Sequence, residues 1–213
     1  MAAAVITYDR AMGRWEPDAR GRLERAALEL FSERGFEQAT AAEIAARAGL
    51  AERTFFRYFA DKREVLFGGS GRFQEFFTQH VAEAPAQLGP LDAVIVAVEA
   101  VGVGFDQRRE LSRQRQNVIV ANAELREREL IKLATLAVAL AEVLRRRGVG
   151  DLAADLAAEA GVAVFRIAFQ NWVDPTNDRD FGELVRESVA ELRSVTVGGQ
   201  PAAGRAFAAA TEA

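Results

Sequence analysis

Apolar side chains recur every third or fourth position along most of the chain, and strict alternation over several residues is rare. That period gathers i, i+3, i+4 and i+7 on one helix face, so the pattern predicts an all-α fold of about nine helices. Pro17, Pro85, Pro90, Pro175 and Pro201 punctuate long proline-free spans rich in the helix formers alanine, leucine, arginine and glutamate. The first helix is expected to open with Pro17 in its first turn and Asp18 at the positive dipole end. Leu23, Ala27, Leu30 and Phe31 form its apolar stripe, and Gly35 is its left-handed stop. Thr40 and Glu43 have the spacing of a capping box, which starts a short helix from Ala41 to about Ala48, ended by Gly49. A second short helix follows over about Glu52–Phe59. Asp61-Lys62-Arg63-Glu64 repeats the capping pattern and opens a fourth helix. Gly68, Gly69 and Gly71 interrupt it, each costing about 1 kcal/mol relative to alanine, so it either bends there or breaks and restarts before Arg72.

Beyond the glycines, Phe73, Phe76, Phe77 and His80 share one helix face, and 85–90 reads as a linker. Further helices are expected at about 91–106, 108–120, 123–147, 151–173 and 178–197. Arg145, Arg146 and Arg147 complement the negative end of the third of these before Gly148. Residues 1–14 read as a flexible arm and 198–213 as a low-complexity tail.

The composition narrows the chemistry. With no cysteine there is no disulfide framework, thiol nucleophile or cysteine-based metal site, and the single His80 excludes a multi-histidine centre. No phosphate-binding glycine loop or nucleophile elbow is present, so no enzyme, cofactor or metal is expected. Neither a secretion signal nor a stretch of about 18 uncharged apolar residues is found, so a cytoplasmic protein without membrane contact is expected. The net charge is −4, but residues 47–63 carry Arg47, Arg53, Arg57, Lys62 and Arg63 against Glu52 and Asp61, an excess of +3. A positive spot on a neutral-to-acidic chain points to a focused anionic partner or to a solvated helix face.

Residues 44–59, IAARAGLAERTFFRYF, choose between them. Ala45 permits a close helix crossing, and Gly49 four residues on permits a sharp turn. Ile44, Ala48, Leu50, Phe55 and Phe59 supply the apolar contacts. Two short helices joined this way are a helix-turn-helix, whose second helix enters the DNA major groove.

From here the chain resembles the TetR family of transcriptional regulators. Residues 27–67 are similar to that family's DNA-binding domain through Phe31, Gly35, Thr40, Ile44-Ala45, Ala48-Gly49, Tyr58-Phe59, Lys62 and Leu66. The resemblance implies a helix-turn-helix domain over 15–67 and a helical ligand-binding and dimerisation domain over 68–197. It departs from the family at Ala51, where serine often stands; a side-chain cap worth about 0.5–2 kcal/mol is missing. It implies that Thr40 sits near a phosphate, that Tyr58 and Lys62 hold the backbone, and that Arg53 and Thr54 meet base edges. Arg57 suits either task. Phe55 and Phe59 read as core, whereas Phe56 lies off the core stripe and is free to meet a thymine methyl.

The resemblance further implies a homodimer on a double-stranded, two-fold operator, and a small-molecule effector. The helices at 151–173 and 178–197 are the dimerisation candidates, the former dense in alanine that permits close approach across the dimer or within the subunit. For the effector, Phe73, Phe76, Phe77 and His80 are expected to face Val98, Phe105, Phe165 and Phe169, as pocket or as core. Fourteen phenylalanines against two tyrosines favour an apolar ligand, aromatic or acyl. Arg166 with Gln170, or Arg113 with Asn117, would receive an anionic head group. The stretch from about 111 to 174 is similar to C-terminal domains of family members that sense acyl-type ligands. The competing reading is a ligand-independent DNA-binding or interaction factor using the same motif.

Overall fold

The computed structural model describes residues 18–102 and 108–197. The expected arm at 1–14, the tail at 198–213, Pro17 and Phe105 lie outside them. The described residues form ten helices and no strand. None of these helices is long and apolar enough to cross a membrane. By its internal contacts the chain divides into two compact units, Met1–Val65 and Leu66–Ala213.

The first unit holds α1 (Ala19–Arg34), α2 (Ala41–Arg47) and α3 (Glu52–Tyr58). Asp18 caps the start of α1, its carboxylate accepting a 2.9 Å bond from the Gly21 amide. Leu23, Ala27, Leu30 and Phe31 are buried together with Phe36, Ile44, Ala45, Phe55 and Phe59. One edge of that core is aromatic, with Phe31 and Phe36 edge-to-face at 5.1 Å.

The division falls within α4 (Glu64–Phe67), which Asp61 caps by accepting from the Glu64 amide at 3.0 Å. The helix then breaks at Gly68-Gly69 and restarts as α5 (Ser70–Glu83), so Gly71 is helical and the restart precedes Arg72 by two residues. The rest of the second unit is α6 (Pro90–Gly102), α7 (Arg109–Ala121), α8 (Ala123–Arg146), α9 (Asp151–Val173) and α10 (Phe181–Thr196). The last starts three residues later than expected, because the Asp180 carboxylate caps it through the Glu183 amide at 2.7 Å.

Helix α9 packs against α6, α7, α8 and α10. Its inner face, Ala154, Ala157, Ala158, Gly161, Phe165, Ala168 and Trp172, is buried within the subunit. Most of the alanines considered for close approach across a dimer are therefore committed to packing inside one chain. At Gly161 α9 passes so close to α6 that a Cβ would stand 2.3 Å from Val94 Cγ1. Arg147 also departs from the dipole role expected of it. Its guanidinium donates to the carbonyls of Val81, Ala82, Ala84 and Pro85, at 3.0, 3.2, 2.6 and 3.0 Å. It thus satisfies the orphan acceptors at the end of α5 rather than those of its own helix.

Candidate nucleic-acid interface

The turn between α2 and α3 follows from local chemistry. Thr40 Oγ1 accepts from the Glu43 amide at 3.2 Å, and Glu43 Oε2 accepts from the Thr40 amide at 2.9 Å, closing the capping box. Bonds from Thr40, joined by the Arg34 guanidinium at 3.0 Å, hold the Glu43 carboxyl below its ordinary pKa. At the other end Gly49 takes φ +69°, which an L-residue rarely adopts. Its amide and that of Leu50 donate to the carbonyls of Ala46 and Ala45, at 3.0 and 2.8 Å. These are the paired bonds of a Schellman stop.

Helix α3 then starts at Glu52 without a side-chain cap from Ala51. Phe55 and Phe59 turn inward, fully buried, with ring centroids 5.4 Å apart. The opposite face carries Arg53, Phe56, Arg57 and Tyr58, all exposed, with Thr54 half-buried at its edge. Phe56 is 53% exposed, which no core residue of the unit approaches.

Ion pairing sorts the basic residues of 47–63 into two groups. Arg47 meets Glu33 through two bonds of 2.9 and 2.8 Å and Glu29 at 3.3 Å. That clasp raises the arginine's pKa and lowers that of Glu33, chiefly through their shared hydrogen bonds. Arg63 is paired with Asp61 at 2.8 Å. Lys62 Nζ donates to the carbonyls of Phe36 and Glu37 at 2.7 and 3.3 Å and lies 4.2 Å from the Phe36 ring centroid. It pins the loop after α1 and retains a third N–H. Arg53 engages no carboxylate among the described residues. Arg57 leans on the Tyr58 ring at 5.0 Å and donates to its hydroxyl at 3.4 Å. The uncommitted positive charge of this segment therefore lies on the outer face of α3.

In the second unit the structure brings together some of the residues considered for an effector. Phe73 lies 4.7 Å from Phe77 and 5.4 Å from Phe165, and Phe77 lies 5.8 Å from Phe165. Phe169 stacks on Phe165 at 5.8 Å, and Val98 belongs to the same core. Phe76 packs instead on His80, ring to ring at 3.9 Å, and His80 Nδ1 lies 2.8 Å from the Phe76 carbonyl oxygen. Trp172 and Phe181 extend the cluster, with Phe181 6.0 Å from Phe165 and 6.1 Å from Trp172. Trp172 follows Phe165 by seven residues and Phe169 by three, so the helical period alone places it on this face.

The polar candidates stand apart from the rings. Arg113 Nε donates to the Val173 carbonyl at 2.9 Å and its Nη1 pairs with Glu110 at 3.0 Å, which caps the end of α9. Arg166, Gln170 and Asn117 are exposed. A surface depression of about 270 Å³, lined by Ile95, Glu99, Arg186 and Val189 among others, separates α6 from α10 and does not include the aromatic cluster.

Comparison with known proteins agrees with this geometry. Residues 24–67 match the family profile described as bacterial regulatory proteins of the tetR family. Residues 88–196, more than half of the 213, match the profile of the MftR C-terminal domain. The chain belongs to the TetR family and is a DNA-binding transcriptional regulator of the helix-turn-helix type. Within the family it is similar to a protein of Mycobacterium tuberculosis (strain ATCC 25618 / H37Rv) named as the mycofactocin biosynthesis transcriptional regulator MftR. The two are 26% identical over 178 residues, 79% of this chain and 86% of that one. The HTH-type transcriptional regulator TcmR of Streptomyces glaucescens is 40% identical over 82 residues, covering 38% of this chain and 36% of that protein. Among solved structures, Thermus thermophilus FadR, a transcriptional repressor in complex with lauroyl-CoA, superposes with a TM-score of 0.51 at 25% identity. That superposition covers 88% of this chain and all of the other. Neither matching profile describes a catalytic family.

Proposed function

We propose that the chain acts as a homodimeric repressor that reads a two-fold operator and is released by a largely apolar, acyl-type small molecule. The observation that carries the DNA reading is the outer face of α3, where Arg53, exposed and paired with no carboxylate among the described residues, stands beside Thr54, Phe56 and Arg57. Arg53 bridges guanine O6 and N7, Thr54 and Phe56 meet neighbouring base edges, and Arg57 takes a base or a phosphate. Thr40, Tyr58 and Lys62 position the duplex through its backbone. Arg53→Ala is expected to remove roughly 1–3 kcal/mol of discrimination between operator and scrambled duplex. Fluorescence anisotropy on DNA from the protein's own upstream region checks this, and unchanged selectivity would remove Arg53 from the reading set.

The acyl reading rests on the aromatic cluster of α5 and α9 and on the similarity to the lauroyl-CoA-bound FadR. A ligand displaces a regulator from DNA only by binding the DNA-free arrangement more tightly. Lauroyl-CoA is therefore expected to bind in calorimetry and to weaken operator affinity by tenfold or more at saturation, a coupling of about 1.4 kcal/mol. A second reading, a regulator without an effector, is favoured by the close packing of Phe73, Phe77 and Phe165 around one another. Lauroyl-CoA that neither binds nor shifts operator affinity would select it.

A further inference from the structure

We propose that Glu52 reads a cytosine in each operator half-site, accepting a hydrogen bond from its exocyclic amine in the major groove. The assignment rests on the DNA-binding reading above and adds an acidic residue to a set of basic, hydroxyl and aromatic ones.

Glu52 is the first residue of α3 and is exposed. The carboxylates that flank it along the chain are spent elsewhere. Glu43 closes the capping box with Thr40 and accepts from Arg34, and Asp61 holds Arg63 and the Glu64 amide. Glu52 pairs with no cation and accepts no hydrogen bond among the described residues. Arg53 does not neutralise it, because adjacent residues of a helix do not face each other. Helix α3 therefore begins with no side-chain cap and with a free carboxylate at its first position.

Placement brings that carboxylate to the groove. By the helical period Glu52 falls between the buried Phe59 and the exposed Phe56. Helical side chains tilt toward the N-terminus, so at the first position the carboxylate projects past the core rather than onto it. In a helix-turn-helix, the N-terminal residues of the second helix are the ones that reach base edges.

The chemistry then selects the base. A carboxylate can only accept, so guanine N7 and O6 and thymine O4, all acceptors, repel it. Cytosine and adenine each offer an amine, but the adenine amine adjoins the N7 acceptor and the cytosine amine has no such neighbour on its own base. Phosphates repel Glu52 on every sequence alike. The residue thus lowers general affinity while raising the preference for duplexes that carry the cytosine.

The test selects wild type, Glu52→Ala, Glu52→Gln and Arg53→Ala on a randomised duplex library, then measures anisotropy on the selected and scrambled sequences. Wild type is expected to require cytosine at one position of each half-site. Glu52→Ala should lose about tenfold of the preference at that position alone, and bind scrambled duplex at least as tightly as wild type. Glu52→Gln should admit adenine there, since an amide meets adenine N6 and N7 with two bonds. A residue that merely stabilised the start of α3 could not produce that switch. Because Glu52 is exposed, both variants should melt close to wild type, and a large drop would give it a structural role instead. Base preferences unchanged in both Glu52 variants would overturn the proposal, as would an equal change of affinity on every sequence. Arg53→Ala judges the parent reading separately, through loss of a guanine preference at a different position. A wild type that selects no sequence would sink both.

Discussion

Replacing Leu152 and Leu156 together by glutamate is expected to leave a folded monomer and to weaken operator binding by roughly 10²–10⁴-fold, the avidity that linking two reading heads confers. The reason lies in the second face of α9. At 100° per residue, positions 152, 156, 163 and 167 fall within a narrow arc opposite the buried alanines. Three of those positions hold large apolar side chains in the open: Leu152 is 73% exposed, Leu156 62% and Ile167 44%. Single exposed leucines are ordinary on a protein surface, but an aligned stripe along one helix marks an interface. On the homodimer reading proposed above, this stripe is the α9 part of a four-helix contact with a second copy, with α10 alongside. Glutamate at both positions costs little in a monomer, where the sites are already in water. Across a two-fold contact it places four carboxylates against apolar surface, with no partners to offset their desolvation. Sedimentation velocity and operator anisotropy on the same preparation check the result. A variant that still sediments as a dimer would remove this stripe from the interface.

Gly161→Val is expected to destabilise the folded chain by about 3 kcal/mol, the upper part of the range for overpacking a well-filled core. The opposing term is helix propensity, because removing a mid-helix glycine gains at most about 1 kcal/mol. Sterics win at this position. Even the first added carbon stands 2.3 Å from Val94 Cγ1 and 3.1 Å from Val94 Cβ. Rotating the valine relieves the first contact and not the second, so α6 and α9 must separate along their length. Urea denaturation measures the loss. The double variant Gly161→Ala with Val94→Ala tests the cause, since it should be less destabilised than the sum of the two single changes. Strict additivity would mean that the helices do not meet here.

Much of the helical pattern was legible from local signals. Residues 123–147 and 151–173 were expected to be helical, and the structure gives Ala123–Arg146 and Asp151–Val173. The capping box at Thr40 and Glu43 and the stop at Gly49 were likewise readable, because each is closed by groups within five residues of one another. The inward turn of Phe55 and Phe59 and the outward turn of Phe56 followed from the helical period. Local signals left one point open, the course of the chain after α4. Three glycines allowed a bend or a break after α4, and the chain breaks at the adjacent pair while Gly71 continues the helix.

The arginines show where reading along the chain stops. The sequence by itself determined an all-α chain, the position of its helix-turn-helix, and a positive excess within residues 47–63. It could not say which of those charges remain available, because the partners of Arg47 and Lys62 lie far away along the chain. Arg47 is neutralised by Glu33, fourteen residues before it. Arg113 is committed to the Val173 carbonyl, sixty residues ahead, and Arg147 to that of Val81, sixty-six residues back. The two faces of α9 were ambiguous for the same reason. Both are rich in apolar residues, and only packing against α6 and α8 decided that the alanines and Gly161 face inward while Leu152, Leu156 and Ile167 remain outside. Periodicity and capping act over one or two turns of chain, whereas burial and ion pairing depend on which distant segments the fold brings within a few ångströms.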